Sequence, residues 1–397
     1  MTRDNGTPAL RLAGFDGEWE MKEFGSVVTR SNAASAEPAL PRLEYEDIVS
    51  GLGVLNKDLS RKQSTKPGPL FVPGDVLYGK LRPYLKTGFF LSFRGIAVGD
   101  FWVLQSLTAD PKFLYQLIQT PLFAAVASIS SGSKMPRADW KLVSQALMAF
   151  PPTLEEQRTI GELFSDLDTL IEQRRAKHAN LQQIKTALLQ RMFPRDGADE
   201  PELRLDGFDG EWSVVEIHHI ADVVGGGTPS TSVTSFWDGD IDWYSPNEIG
   251  GTAIAKSSNK RITAEGLANS SAKLLPANRT ILFTSRASIG HAAILDHPAT
   301  TNQGFQSLVL KDGVDTQFVY ALVPKITEVA EQLATGSTFL EVSNKTVREI
   351  EVHIPGAEEQ RAIGEVFANL DALIAAEASY ITQLTQAKTA LLQRMFV

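Results

Sequence analysis

The chain says almost the same thing twice. LRLAGFDGEW at 10–19 returns as LRLDGFDGEW at 203–212, and EEQRTIGELFSDLDTLI at 155–171 returns as EEQRAIGEVFANLDALI at 358–374. KTALLQRMF occurs at 185–193 and again at 388–396, identical over nine residues. A repeat of this kind sets the architecture before any local reading does. The offset is 193 for the first block and 203 for the other two, so the second copy is ten residues longer between its shared blocks. The stretches between them, roughly 20–150 and 213–350, hardly resemble each other. Constant flanks around divergent interiors suggest two modules performing one task on different targets.

The constant segments read as long helices. Residues 153–193 contain one Gly and no Pro, and Ile160, Leu163, Phe164, Leu167, Leu170, Ile171, Leu181, Ile184 and Leu188 fall at helical spacing. Thr153 with Glu156 resembles a capping box, and Pro194 ends the run. Each helix of about 40 residues would be about 60 Å long. An apolar stripe that long needs a partner, and the simplest is the other copy in a coiled coil. Antiparallel pairing keeps the two modules from crowding at one end, and implies a pseudo-twofold relation. Both copies enter their module from a short polar segment, so the first and last parts of the chain should lie close together.

The middle nine residues of the two helices, 172–180 and 375–383, share no identity, whereas the ends match even at polar positions. Coiled-coil packing requires apolar identity only. Glu156, Arg158, Gln190, Arg191, Glu359, Arg361, Gln393 and Arg394 are therefore candidate docking residues for two copies of one partner.

The interiors read as mixed α/β. Residues 72–93 show a Pro-Gly-Asp turn and strand-like runs, 279–295 a hairpin, 111–129 a helix interrupted near Pro121, and 316–334 a second helix. GGGTPS (225–230) lacks Walker A and dinucleotide-binding spacing and reads as a loop after a strand. The expected fold class is α/β of the α+β type: two recognition modules, 1–150 and 195–354, and two antiparallel spacer helices, 151–194 and 355–397.

Charge alone argues against nucleic acid, since the net is −9. Its distribution is uneven: +3 over 1–150, 0 over 151–194, −10 over 195–354 and −2 over 355–397. DNA binding would need local basic patches or a partner that supplies phosphate contacts. Candidate contacts are Arg61, Lys62, Lys80, Arg82, Lys134 and Arg137 in the first module. In the second they are Asn247, Lys260, Arg261, Arg286, Asn302, Gln303 and Lys345. Asn and Gln can read adenine edges and Arg guanine.

Catalytic and metal-binding patterns are missing. There is no cysteine, and the six histidines show no metal spacing. No H-E-x-x-H, G-x-S-x-G or Asn/Asp-Pro-Pro-aromatic motif occurs. No apolar run nears 18 residues and MTRDNGTPAL has no signal-peptide core, so a cytoplasmic protein is expected.

Two variable modules, each followed by a near-identical helix, resemble the specificity (S) subunits of type I restriction-modification systems. The EEQRTIGELFSDLDTLI and EEQRAIGEVFANLDALI helices, the KTALLQRMF endings and the GFDGEW entries carry the resemblance. Within the modules, PGDVLYGKLRPYL, LFTSRASIGHAAI and TNQGFQSL look like phrases of the family's target recognition domains. The resemblance implies a non-catalytic subunit reading a bipartite site in double-stranded DNA. It implies two methyltransferase (M) subunits docked on the helices, and restriction/translocase (R) subunits in the full complex. No cofactor is then expected on this chain, while S-adenosylmethionine, ATP and Mg would belong to partner subunits. Alternatives from the sequence are a fused restriction-methylation system, a coiled-coil scaffold with ligand-binding ends, and an enzyme.

Overall fold

The computed structural model describes residues 6–59, 62, 64–129, 136–195, 197–336 and 340–397. The chain forms two compact units that do not follow the linear segments: Met1–Arg174 joined by Tyr380–Val397, and Arg175–Ser379. Each contains one module, the near half of its own spacer helix and the far half of the other.

The spacer helices span Leu154–Arg191 and Ala357–Met395. Within the first unit they run antiparallel. Phe164 meets Phe396 at 6.0 Å between ring centroids, Asp168 binds Lys388 at 2.6 Å, and the Arg174 guanidinium lies 4.6 Å from the Tyr380 ring. The second unit has its own antiparallel set. Phe193 meets Phe367 at 5.8 Å, Lys185 binds Asp371 at 2.5 Å, and Lys177 binds Glu377 at 2.6 Å. Lys388 and Lys185 are the first residues of the two KTALLQRMF phrases, and their partners are equivalent aspartates. The unlike middles of the helices meet through a cation–π contact in one unit and an ion pair in the other.

The first module is built on an antiparallel sheet in the order Val28–Arg30, Phe101–Ser106, Val76–Gly79, Gly88–Phe90. Phe101–Leu104 and Val76–Gly79 are buried throughout, which explains their continuous apolar character. A smaller sheet orders Ala34–Ser35, Gly68–Phe71, Gly95–Ala97 and Arg42–Leu43. The expected helix interruption is present: Pro111–Leu117 ends, and Thr120 caps Pro121–Ala127 by accepting from the Phe123 N–H.

The second module repeats this plan with almost none of the sequence. Its sheet runs Ala221–Gly225, Gln306–Leu310, Thr280–Phe283, Ala292–Leu295, with Ile254–Ala255 added at the edge in parallel. The predicted hairpin at 279–295 is the Thr280–Phe283/Ala292–Leu295 pair. The GGGTPS segment follows the strand Ala221–Gly225. A Cβ on Gly226 would fall 1.9 Å from the Asn302 carbonyl oxygen, so this loop lies flush on the TNQG segment.

Each module is fastened to its helix by the repeated polar residues. Arg11 donates to both carboxylate oxygens of Glu156, at 2.8 and 2.7 Å, and Trp19 Nε1 donates to the same carboxylate at 3.2 Å. In the second unit Arg204 donates to both oxygens of Glu359 at 2.8 Å. Hydrogen bonding to the carboxylate raises each arginine's pKa further, so the cations are permanent. Gln157 accepts from the Asp110 N–H at 2.9 Å and Gln360 from the Asp315 N–H at 3.2 Å. Gly161 and Gly364 admit the helix starts beside them, since a Cβ would meet Phe113 N at 2.8 Å or Phe318 N at 2.9 Å.

Thr153 caps the first spacer helix by accepting from the Glu156 N–H at 3.2 Å. The reciprocal half of the expected capping box is replaced, because the Glu156 side chain is spent on Arg11 and Trp19. In the first unit the Leu10 N–H donates to the Arg394 carbonyl at 2.8 Å, and in the second the Leu203 N–H donates to Arg191 at 2.8 Å. The first and last blocks of the chain therefore meet, as the repeat implied.

Candidate nucleic-acid face and helix grooves

Hydrogen bonds align the two modules where sequence does not. The Lys80 N–H donates to the Asp100 carbonyl at 2.9 Å, and Ser285 to Gly304 at 2.8 Å. Ala138 donates to Lys80 at 2.8 Å, and Val342 to Ser285 at 3.0 Å. Leu81 bridges Arg137, and Arg286 bridges Glu341. Glu44–Asp47 and Ser245–Glu248 form matching capping boxes beside these strands. Leu81 and Asp100 in the first module thus correspond to Arg286 and Gly304 in the second.

In the first module the framework gathers Lys80, Arg82 and Arg137. Asp100 pairs with Lys80 at 3.4 Å and Arg137 at 2.7 Å. Arg82 is exposed with φ +50°, and Lys86 is exposed with φ +49°. Between them Tyr84 is 60% exposed, an aromatic the sequence reading missed although it lies inside the basic phrase KLRPYLK. Exposed aromatics among cations are a feature of single-stranded nucleic-acid faces, where unpaired bases stack on them. Tyr45 closes the floor: its hydroxyl donates to the Asp100 carbonyl at 2.6 Å and accepts from the Leu81 N–H at 3.0 Å. Burial pushes its pKa up to about 12, which keeps that donor proton in place.

Lys62 stands apart from this group. Its ammonium sits 2.6 Å from Asp47, which is fully buried, and 3.3 Å from Glu44. Burial lowers the Lys62 pKa, but the hydrogen bonds to Asp47 and Glu44 outweigh that and the net shift is upward. Its first duty is to neutralise a buried carboxylate. Arg61 and Lys134 lie outside the described residues.

In the second module Arg286 and Asn302 converge at Gly304, beside Pro246; Asn247 follows that proline in the chain, and its Oδ1 accepts from the Ser245 hydroxyl at 2.5 Å. A Cβ on Gly304 would lie 2.6 Å from Pro246 Cγ, 3.0 Å from Asn302 Oδ1 and 3.3 Å from Arg286 Nε. Gln303 Oε1 accepts from Thr228 at 2.7 Å, tying the glycine loop to this face. Lys260 lies 5.7 Å from the Trp237 ring, and Arg261 binds Asp242 at 2.9 Å, on a neighbouring sheet. Lys345 is exposed and 3.8 Å from Glu349, a weak surface pair.

Asp242 also receives His297 at 2.6 Å, whose other ring nitrogen faces Asp296 at 2.6 Å. Hydrogen bonding to Asp296, then to Asp242, raises the His297 pKa despite some desolvation. A raised folded pKa contributes stability fully below the unfolded value near 6.5, lost as pH climbs through the folded value. The second unit should therefore lose stability as pH rises above the unfolded histidine value near 6.5 in the native protein, and less so in His297→Gln. Melting temperature against pH measures this, and parallel curves would refute the role.

The docking candidates divide. Glu156 and Glu359 are 1% and 4% exposed and consumed by the Arg11 and Arg204 clamps, which removes them from any partner-facing set. Their identity between copies has an internal cause. Arg191 pairs with Glu202 at 2.8 Å. Arg158, Arg361, Gln190, Gln393 and Arg394 are exposed. Gln190 lines a groove of ≈ 410 Å³ with Ala179, Gln182, Gln183, Thr186 and Ala187. Gln393 lines one of ≈ 420 Å³ with Ile381, Thr382, Thr385, Gln386, Thr389 and Ala390. Six positions of each groove correspond at the 203-residue offset, and all are uncharged.

Among the described residues no helix is long and apolar enough to cross a membrane, and no cluster of potential metal ligands occurs. Residues 209–386 match the family model described as type I restriction modification DNA specificity domain. The MjaIX specificity subunit of Methanocaldococcus jannaschii, a type I restriction enzyme subunit, is 38% identical over 41% of this chain and 39% of its own length. The EcoR124I/EcoR124II specificity subunit of Escherichia coli is 30% identical over 42% of each. The matched stretches thus span about two fifths of those relatives. The crystal structure of the S subunit of a type I restriction-modification system from M. genitalium superposes with TM-score 0.66 at 16% identity, covering 98% of this chain and 99% of that one. Residues 209–386 are thus similar in sequence to a type I restriction modification DNA specificity domain, and nearly the whole chain shares the fold of the M. genitalium subunit.

Proposed function

We propose that the chain is the non-catalytic, sequence-reading subunit of a type I restriction-modification complex, binding double-stranded DNA at a bipartite site. One observation carries the reading: the same hydrogen-bonded framework presents Lys80, Leu81 and Asp100 in one module and Ser285, Arg286 and Gly304 in the other. Constant backbone with changed side chains is what two readers of different half-sites require. Exposed cations position such a reader on phosphates, and fixed polar groups select bases.

The duplicated uncharged grooves around Gln190 and Gln393 support docking of two methyltransferase subunits, one on each. Arg158, Arg361 and Arg394 are available to flank them, and Arg191 as well once its exposed pair with Glu202 opens. Adenine methylation requires the base to leave the stack for a partner's pocket. S-adenosylmethionine, ATP and Mg belong to the methyltransferase and restriction/translocase partners in this reading, and the complex works in the cytoplasm.

Co-expression with the cognate methyltransferase, followed by genome-wide mapping of methyladenine, tests this. The expected result is a bipartite motif with a fixed unspecified spacer. Exchanging residues 20–150 for another module should change one half of the motif and leave the other intact. A continuous motif, or none, would overturn the proposal.

A further inference from the structure

The second module's face carries a narrower chemistry than a general affinity for DNA, and this inference rests on the DNA-reading proposal above. We propose that Arg286 and Asn302 form a donor-rich head that takes a guanine through the major-groove edge of duplex DNA.

The polarity of Asn302 is fixed by its neighbour. Its side-chain oxygen accepts from the Gly304 backbone N–H at 2.8 Å. A backbone N–H can only donate, so the oxygen is the atom that faces it and the amide NH₂ is left to the outside. An asparagine reads adenine by donating to N7 and accepting from N6 at once. With its oxygen turned onto the Gly304 N–H, one of that oxygen's two acceptor sites is spent and the amide presents its NH₂ away from that backbone. That orientation favours a ligand edge that accepts.

Arg286 adds a fork of donors and no acceptor. It is half-buried, and among the described residues it forms no ion pair. The equivalent region of the first module differs: Asp100 stands where Gly304 does and pairs with both Lys80 and Arg137. Gly304 places no side chain between Arg286, Asn302 and Pro246, where a Cβ would fall within 3.3 Å of all three. The Arg286 backbone is held on both sides. Ser285 donates to Gly304 and accepts from Val342, and Ala287 turns the chain with φ +67°. A guanidinium on a fixed turn suits a planar two-acceptor edge, and guanine's O6 and N7 supply one. A phosphate can offer two acceptors to the same fork, and the variants below separate the two readings.

The full chain, purified with its methyltransferase, is to be presented with a random duplex library and the bound fraction sequenced. The native protein is expected to enrich a bipartite motif with a guanine in the half read by residues 195–354. Arg286→Ala should lower the preference for that guanine by about tenfold or more while the rest of the motif stands. Arg286→Lys keeps the charge and a donor for O6 or N7 but loses the planar fork, and should weaken the guanine preference. Asn302→Asp keeps the bond from Gly304 but turns the free end into an acceptor, and should also reject guanine. Uniform weakening by Arg286→Ala with the motif unchanged would mean a phosphate contact and would overturn the inference. Full guanine preference in Arg286→Lys would do the same. If the native protein enriches no bipartite motif, the proposed function itself fails, a result distinct from a motif that survives the loss of Arg286.

Discussion

Arg11→Met is expected to destabilise the first unit by about 3–5 kcal/mol, because it strands a buried carboxylate. Glu156 is 1% exposed and takes two hydrogen bonds from Arg11, leaving only Trp19 Nε1 once the guanidinium is gone. The same change at Arg204 strands Glu359, 4% exposed, in the second unit. Urea unfolding monitored separately in each unit should show Arg11→Met moving one transition and Arg204→Met the other. A loss under about 1 kcal/mol in either would mean that the pair behaves as a solvated surface contact. Converting both members of a pair to Met and Leu should recover much of the loss, since the harm lies in the unpaired charge.

The second large effect concerns assembly. Ala187 and Ala390 line the two equivalent grooves and are exposed. Ala187→Arg should cost about 100-fold in affinity at one groove, the equivalent of about 3 kcal/mol, since an arginine buried there by a docked partner has no partner charge. Ala390→Arg should do the same at the other. Native mass measurement of the complex with the cognate methyltransferase should then fall from two partner subunits to one in each single variant, and to none in the double. The double variant retaining both partners would locate the docking surface elsewhere.

Much of this architecture was legible because duplication acts as a control experiment within one chain. The repeated apolar positions gave two helices, their connectivity gave antiparallel pairing, and the near-closure of the repeat placed Leu10 beside Arg394. The polar identities were harder. Glu156 matched Glu359 whether it faced a partner or an arginine 145 residues away, and periodicity does not distinguish the two. The missing signal was present in the first block, where Arg11 and Arg204 repeat as faithfully as the glutamates they hold. Two repeated residues of opposite charge were a pair to be tested.

The candidate DNA face was less legible still. Lys62 and Lys80 look alike in a basic phrase, yet one neutralises the buried Asp47 and the other shares Asp100 with Arg137. The equivalence of Leu81 to Arg286 lies in backbone hydrogen bonds and leaves no trace in residue identity. Asn302 was singled out as an adenine reader from its residue type. The Gly304 N–H fixes which way its amide is turned.

The seam between Leu10 and Arg394 also orders events on the ribosome. The second unit draws on Arg175–Ser379, one unbroken stretch, and has all its parts once that stretch has emerged. The first unit is made earlier but stays open. Trp19 and Phe113 wait for Phe396, whose ring packs 6.2 and 5.2 Å from theirs. Synthesis therefore delivers the two units in reverse of their order in the chain, although domains ordinarily mature from the N-terminus onward. Until residues 392–396 arrive, the apolar floor of the first module faces solvent. Residues 392–396 act as a latch, and a nascent chain halted before them would leave one hydrophobic core open after every residue of the other unit has been made.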